Sequence, residues 1–554
     1  MGRYAGAIVI RLRLLKVLLL IAFCVPPIGA DTFARQHGVD VLHYRFELAI
    51  ADTSDTLSGR VGVDIRILDA DVQEFVLDLV GTDSAPPGYG MSVSGARWEG
   101  ANSPADFSHA VGKLTVPFAS PVTRGERRRL WISYAGVPET GLIIGDNKHG
   151  QRCFFSNNWP NKARHWLPMV DHPYDKATAD MIVNAPGHYQ AVSNGLLVEE
   201  TDLADGMRRT HWRQSVPIAS WLYALGVARF AVDHRPPLDG IPIQTWVFAT
   251  DRDDGFDDFS EPTRHVLEFF SDYIGPYPYE KLANVQSNSV GGGMESATAI
   301  FYDDDSVTGE HSERWRSVVT HEIAHQWWGN SVTEADWDDV WLSEGFATYF
   351  TLLFLEHERG RDAFVKGLER SRRGIFDFQG KRPDYRLVHD DLRDMNHVLT
   401  VQIYQKGAWV LHMLRAMLGD DPFRQGIREY YRLYRDGNAT TGDFVQVMEE
   451  VAGRDLGWFF DQWLYRGGSL EVEGTWSWEA GTLVVELGQT QETPEIFRMP
   501  ITIEVVGPDG GSTVHVVELI EQTGRYEMAV DSAPESVRLD PQVEVLMRAT
   551  FAPR

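Results

Sequence analysis

The 554-residue chain contains only two cysteines, Cys24 and Cys153, and no internal repeat, low-complexity tract or basic patch. Loss of an N-terminal leader would leave Cys153 alone, which would exclude an intrachain disulfide. Positive charge is also scarce, because 52 Lys and Arg face 79 Asp and Glu, for a net charge of −27. Such an acidic chain is a poor partner for nucleic acid or an anionic membrane.

Long apolar runs are missing too. The apolar run at residues 17–25 follows four basic residues and precedes the small pair Gly29-Ala30. A run this short favours a secretory signal peptide over residues 1–30, because a membrane-spanning helix needs about 20 apolar residues. We therefore expect an exported chain, periplasmic or extracellular, with no stable membrane insertion of the mature form. An uncleaved N-terminal anchor is the alternative.

Three regions with different periodicity follow this segment. Residues 31–240 alternate apolar and polar positions between Gly, Pro and Asp clusters, which predicts an antiparallel β domain. Residues 241–468 carry apolar residues at helical spacing and form the predicted catalytic domain. Residues 469–554 return to about seven short strands, typical of a small β-sandwich. The fold class is thus multidomain α+β, and no pattern indicates an oligomeric state.

The richest motif begins at His321, in the sequence HEIAH. At about 100° per residue, His321 and His325 lie about 40° apart on one helix face, so both imidazoles can bind one metal ion. Glu322 lies about 100° from His321, where it can reach a water on that ion instead of binding the metal itself. We interpret Glu322 as a general base.

A second acidic residue strengthens this interpretation. Glu344 follows His325 by nineteen positions and begins an apolar stretch that reads as a buried helix. An unpaired buried glutamate is costly, so a cation partner is expected. The alternative is that HExxH arises by chance and the histidines are ordinary core residues. The three side chains together favour one zinc ion per chain, which leaves exopeptidase and endopeptidase activity both open.

A glycine-rich loop, VGGGMES, lies upstream of the motif. Gly292 and Gly293 allow a backbone to approach an extended peptide closely, and Glu295 adds a negative charge beside it. That charge could hold the ammonium group of a peptide N-terminus. A flexible loop with a solvated carboxylate is the alternative.

The segments HEIAHQWWGN and WLSEGFATYF, preceded by GGMES, resemble the M1 family of zinc aminopeptidases. The segments YQKG at 404–407, FFDQWL at 459–464 and ARHWLP at 163–168 extend the resemblance over most of the chain. It implies a β domain, a mainly helical thermolysin-like (gluzincin) catalytic domain and peptide substrates with a free N-terminus.

The resemblance also implies roles for individual residues. His321, His325 and Glu344 would bind zinc, with Glu322 as base and Tyr404 as donor to the oxyanion. Glu295 would bind the substrate's α-amino group, and Gly292 with Gly293 would line the substrate.

One departure concerns Trp159, which stands where many relatives have a second acidic anchor for the amine. We therefore expect a weaker preference for a free N-terminus than is usual in the family. Three alternatives remain: a zinc endopeptidase, an epoxide hydrolase using the same metal, and a non-catalytic peptide-binding protein on the same scaffold.

Overall fold

A computed structural model describes residues 33, 35–388, 392, 395, 398–493 and 496–554. The predicted signal peptide lies outside these residues. None of the helices in the described ranges has the length and hydropathy of a membrane span.

The N-terminal region is built from three sheets. Its strands are β1 (Val39–Ala51), β2 (Ser54–Ile67), β3 (Glu74–Asp78), β4 (Gly90–Trp98), β5 (Ser108–Ala110), β6 (Lys113–Pro117), β7 (Arg127–Val137), β8 (Leu142–Asp146), β9 (Arg152–Ser156), β10 (Ala177–Pro186), β11 (Gln190–Ser193), β12 (Leu196–Asp202), β13 (Met207–Ile218) and β14 (Leu225–Ala228). The largest sheet has the order β12-β13-β10-β1-β2-β7-β4, and the others are β11-β14-β9-β8 and β3-β6-β5.

This region departs from the prediction of a purely antiparallel domain at one place. Strand β10 pairs parallel to β1, with His43 opposite Thr178. The other pairs of the large sheet are antiparallel. Phe46, Leu48 and Ile50 alternate with more exposed positions along β1, which is the periodicity that predicted the strand. The pairing of β1 with β10 joins residues more than 100 positions apart, so no local sequence pattern indicates that the two strands are neighbours or parallel.

The catalytic region combines helices with a mixed sheet. Its strands are β15 (Phe230–Leu238), β16 (Ile241–Phe248), β17 (Leu282–Gln286), β18 (Gly293–Met294), β19 (Ala299–Tyr302), β20 (Val332–Glu334) and β21 (Gly437–Ala439). Its helices are α1 (Arg252–Tyr273), α2 (Glu313–His325), α3 (Trp341–Arg359), α4 (Arg361–Gln379), α5 (Gly407–Leu418), α6 (Asp420–Tyr434), α7 (Thr441–Ala452) and α8 (Gly457–Phe460).

The sheet of this region has the order β15-β16-β17-β19-β18 and places the short strand β18 at its edge. Strands β15 and β16 form an antiparallel hairpin, with Phe230 opposite Phe248. The predicted domain boundary at residue 240 lies in the turn of this hairpin, so β15 precedes that boundary but pairs within the catalytic sheet. Helix α2 packs against α1, α3 and the edge strand.

The C-terminal region has seven strands in two sheets, in agreement with the predicted β-sandwich. The strands are β22 (Leu470–Glu479), β23 (Thr482–Gln489), β24 (Met499–Val506), β25 (Ser512–Leu519), β26 (Thr523–Ala529), β27 (Ser536–Leu539) and β28 (Met547–Pro553). The sheet orders are β26-β23-β22-β28 and β25-β24-β27. Ile501, Ile503 and Val505 of β24 point into the core on alternate positions.

Candidate metal centre and active site

The two histidines and Glu344 converge between α2 and α3. His325 Nε2 lies 3.0 Å from His321 Nε2 and 3.2 Å from Glu344 Oε2, and His321 Nε2 lies 3.3 Å from the same oxygen. The ligand atoms of the three residues all lie within 4.8 Å of one another. Donor atoms bound tetrahedrally at zinc distances are about 3.3 Å apart, so these three atoms already have that spacing.

His325 is held in the orientation that a metal ligand needs. Its Nδ1 lies 3.0 Å from the carbonyl oxygen of Trp328 and 3.2 Å from Ser343 Oγ. A proton on Nδ1, donated to the carbonyl, leaves the Nε2 lone pair free to bind a metal. The ring is almost completely buried, so its orientation is fixed by packing as well.

The charge of the pocket also fits a divalent cation. Burial raises the pKa values of Glu322 and Glu295. Burial opposes ionisation of Glu344 as well, but His325 and His321 together outweigh it and hold the pKa of Glu344 well below its usual range. Three buried carboxylates beside two imidazoles have an excess of negative charge that a bound cation would offset. Two histidines and a glutamate are a donor set of catalytic zinc sites.

Glu322 lies against the edge strand at Gly293. A Cβ atom built on Gly293 would be 2.3 Å from Glu322 Cδ, closer than real contacts allow. The space that Glu322 occupies therefore exists because residue 293 has no side chain. Gly292 has nothing within 4 Å of an added Cβ, and its carbonyl accepts a hydrogen bond from Asp303 N.

Tyr404 reaches the site from a separate segment. It lies in the π-helical turn Gln402–Lys406 that leads into α5, and its hydroxyl donates to Glu344 Oε1 at 3.0 Å. Helices α3 and α5 touch at Gly345 and Gly407, where an added Cβ on either would be 2.9 Å from the other's Cα. This close crossing sets the distance between Tyr404 and Glu344.

Glu295 lies beside the segment that follows the C-terminal end of α2. Its backbone carbonyl accepts hydrogen bonds from Gln326 Nε2 at 2.9 Å and Asn330 Nδ2 at 2.6 Å. Both donors lie within five residues after α2, so the loop that carries Glu295 is fixed to the end of the helix that bears His321 and His325. Glu295 is almost completely buried, and it lines the site cavity.

Trp159 lines the same cavity as part of an aromatic cluster. Its ring packs edge to face against Trp221 at 5.3 Å and Trp337 at 5.1 Å between centroids. Two residues before Trp159, the side-chain amide of Asn157 donates a hydrogen bond to the backbone carbonyl of Ser289 at 2.7 Å. An aromatic ring thus occupies the wall at residue 159.

The cavity encloses about 480 Å³. It brings together His321, His325, Glu344, Glu322, Tyr404, Glu295, Gly293 and Trp159. Of the residues predicted for the site, Gly292 is absent from its lining. The lining also includes residues that were not predicted from the sequence, namely Ser317, Val318, Thr348 and Thr351. Helical spacing could have identified them. Ser317 and Val318 lie four and three positions before His321, and Thr348 and Thr351 lie four and seven positions after Glu344, on the same helix faces.

Two family models cover most of the chain. The peptidase M1 N-terminal domain matches residues 41–222, and the peptidase family M1 domain matches residues 260–463. The chain belongs to peptidase family M1. The second match contains His321, His325, Glu344, Glu322, Glu295 and Tyr404, and the two matched regions lie in the β domain and in the mainly helical region.

Relatives within the M1 family include named aminopeptidases. Aminopeptidase A of Gloydius brevicauda is 26% identical over 466 residues, which are 78% of this chain and 47% of that protein. Glutamyl aminopeptidase of Sus scrofa is 28% identical over 327 residues, 55% of this chain and 33% of that protein. The chain thus spans about half the length or less of these relatives.

Two solved structures have the same fold. An M1 zinc metallopeptidase from Deinococcus radiodurans is 27% identical, with a TM-score of 0.64 over 77% of this chain and 92% of that one. Legionella pneumophila aminopeptidase A, solved in complex with aspartic acid, has a TM-score of 0.79 at 16% identity, over 94% of this chain and 61% of that one. The architecture of β domain, helical catalytic domain and C-terminal strands is therefore that of M1 aminopeptidases.

Proposed function

We propose that this M1 family member is a zinc-dependent aminopeptidase that hydrolyses the first peptide bond of peptides with a free N-terminus. One observation carries the proposal: a single cavity joins the cluster of His321, His325 and Glu344 to a buried base and to a second carboxylate, Glu295. The three clustered residues would hold one zinc ion per chain.

A zinc ion with three protein ligands lowers the pKa of a bound water to about 7 and polarises a carbonyl group. Glu322 would accept the proton of the attacking water and deliver it to the leaving amine. Its burial supports this role, because a carboxyl with a raised pKa holds a proton more readily between the two transfers.

Tyr404 would donate a hydrogen bond from its hydroxyl to the oxyanion of the tetrahedral intermediate. Burial, with Glu344 nearby, raises the pKa of the Tyr404 hydroxyl well above its usual range. The group therefore stays protonated at neutral pH and is available as a donor. It would exchange its hydrogen bond to Glu344 for one to the substrate.

Glu295 would bind the α-ammonium group of the substrate. Since the wall at residue 159 is aromatic, the chain offers one carboxylate there where many relatives have two. We therefore expect weaker discrimination against blocked N-termini. An endopeptidase is the second candidate, and this aromatic wall is the observation that favours it.

A panel of aminoacyl aminomethylcoumarins and their N-acetyl forms tests the proposal. We expect turnover of the free compounds, loss of turnover with a chelator, recovery with Zn²⁺, and much slower cleavage of the acetylated forms. Equal cleavage of free and acetylated peptides would indicate the endopeptidase. Absence of any peptide turnover would favour the non-catalytic binding protein, and a lipid epoxide assay separates the epoxide hydrolase.

Export is a further part of the proposal, supported by the sequence of residues 1–30. N-terminal sequencing of the mature chain recovered from outside the cytoplasm should begin at Asp31. A chain that retains residues 17–25 and sediments with membranes would favour the uncleaved anchor.

A further inference from the structure

A second cavity of about 690 Å³ continues from the active site along α2 and α3. The two cavities share the wall formed by Ser317, Val318, Thr351 and Leu352. Beyond that wall, the second cavity lies between the N-terminal half of α2 and the C-terminal half of α3, and Arg370 of α4 closes it. We call it the basic groove.

The groove is positively charged in a chain that is strongly acidic. Four arginines and two glutamates line it, which leaves two positive charges in excess: Arg314, Arg316, Arg359, Arg370, Glu313 and Glu358. Arg316 is ion-paired with Glu358, and Arg359 with Glu313. These pairs neutralise two of the four arginines.

The excess charge comes from Arg314 and Arg370. The guanidinium carbon of Arg314 lies 4.6 Å from the centre of the Trp315 ring, which holds the side chain without neutralising it. Within the described ranges, no ion pair joins Arg314 or Arg370 to a carboxylate. Both side chains are exposed and free to bind an anion.

The position of the groove relative to the substrate follows from Glu295. That residue is fixed beyond the C-terminal end of α2, whereas the groove begins at the helix's N-terminal half. A peptide with its amine at Glu295 and its first carbonyl at the metal-binding cluster would continue toward the groove. From His321 back to Arg314 is seven residues, or about 10 Å along a helix. An extended chain covers that distance in about three residues.

We propose that the basic groove is a subsite for a substrate carboxylate located about three residues beyond the cleaved bond. The carboxylate belongs either to an acidic side chain or to the C-terminus of a tetrapeptide. The inference rests on the proposed aminopeptidase function and adds a substrate class to it, namely peptides that are acidic a few residues after their N-terminus.

Matched peptides test the groove. Leu-Ala-Ala-Asp-Ala-amide carries the acidic side chain, Leu-Ala-Ala-Asn-Ala-amide lacks the charge, and Leu-Ala-Ala-Ala is compared as free acid and as amide. We expect the KM to be about twofold to fivefold lower for each charged member of a pair, as for ion pairs at exposed sites. The ratio should approach one in 0.5 M NaCl, which screens exposed charges.

The double variant Arg314→Ala/Arg370→Ala should bring both KM ratios close to one. Arg252→Ala is the matched control, because Arg252 also lies over an aromatic ring, Phe256 at 5.0 Å, but on α1 outside the groove. It should keep the wild-type ratios. Equal KM values for the Asp and Asn peptides in the wild type, or unchanged ratios in the double variant, would overturn the proposal.

A binding measurement separates this inference from the proposed function. Fluorescence anisotropy of labelled Asp and Asn peptides, with metal-free protein carrying Glu322→Gln, needs no turnover. A preference for the Asp peptide that is lost in Arg314→Ala/Arg370→Ala supports the groove even if the aminoacyl aminomethylcoumarins are not hydrolysed. Equal anisotropy for the two peptides rejects the groove while leaving the aminopeptidase intact.

Discussion

The active site has two walls of different origin. The ligand wall consists of α2 and α3 and carries His321, Glu322, His325 and Glu344 within one short stretch of chain. The amine wall consists of Glu295, Trp159 and Tyr404, which come from three distant segments. Helical geometry determines the first wall almost alone, whereas tertiary packing determines the second. We therefore expect the first wall to set most of the rate of the reaction, together with Tyr404, whereas Glu295 and Trp159 of the second wall set the choice of substrate.

Replacement of the base should have the largest effect. Glu322→Gln removes the proton acceptor but keeps the size of the side chain, so kcat should fall by about 10⁴, the upper range for general acid–base catalysis. Zinc content, measured by atomic absorption, should stay near one per chain because Glu322 is not in the ligand cluster. A variant that has lost its zinc would place Glu322 among the ligands instead.

Tyr404→Phe should have the second largest effect on kcat, and it tests whether the amine wall takes part in catalysis. Loss of one oxyanion donor lowers kcat by about 10² to 10³. KM should change little, since the hydroxyl would act only on the intermediate. Zinc content and thermal stability are the controls, because the hydroxyl also contacts Glu344. Wild-type kcat in this variant would leave Tyr404 without a catalytic role.

The two walls also differ in how far the sequence predicted them. Four apolar residues at four-residue spacing are buried along one face of the α2 segment and leave the histidines on the opposite face: Trp315, Val319, Ile323 and Trp327. Because the apolar face is buried, His321 and His325 both point to the side on which Glu344 lies. No spacing rule places Tyr404 near Glu344, because their contact depends on the crossing of α3 and α5 at two glycines. Only the resemblance to the M1 family indicated it.

Other elements escaped prediction for different reasons. The helical spacing predicted for residues 241–468 did not resolve α6 as a separate helix, although its buried residues Phe423, Ile427, Tyr430 and Tyr431 have that spacing. Three strands of the catalytic sheet, β17, β18 and β19, were missed because they are only two to five residues long and too short to show alternation. The groove arginines form a cluster only after α2, α3 and α4 pack together.

Gly293→Ala addresses the place where the edge strand meets the ligand wall. The added methyl group would overlap Glu322 and displace the base, so kcat should fall by about tenfold to a hundredfold. Gly292→Ala is the control next to it, because its methyl group meets nothing within 4 Å. Similar kcat values for the two variants would show that Gly293 does not set the position of Glu322.

Glu295→Gln should have the smallest effect on rate and the clearest effect on selectivity. Hydrogen bonds to a charged group contribute about 1.5–3 kcal/mol, and the neutral amide keeps part of that contact, so kcat/KM for free peptides should fall about tenfold. Cleavage of N-acetylated peptides should stay unchanged, since they carry no ammonium group for Glu295 to bind. The ratio of kcat/KM for free peptides to kcat/KM for acetylated peptides would then also fall about tenfold. If cleavage of both substrates fell equally, Glu295 would support the site's structure, and the amine would have to be bound by another part of the amine wall.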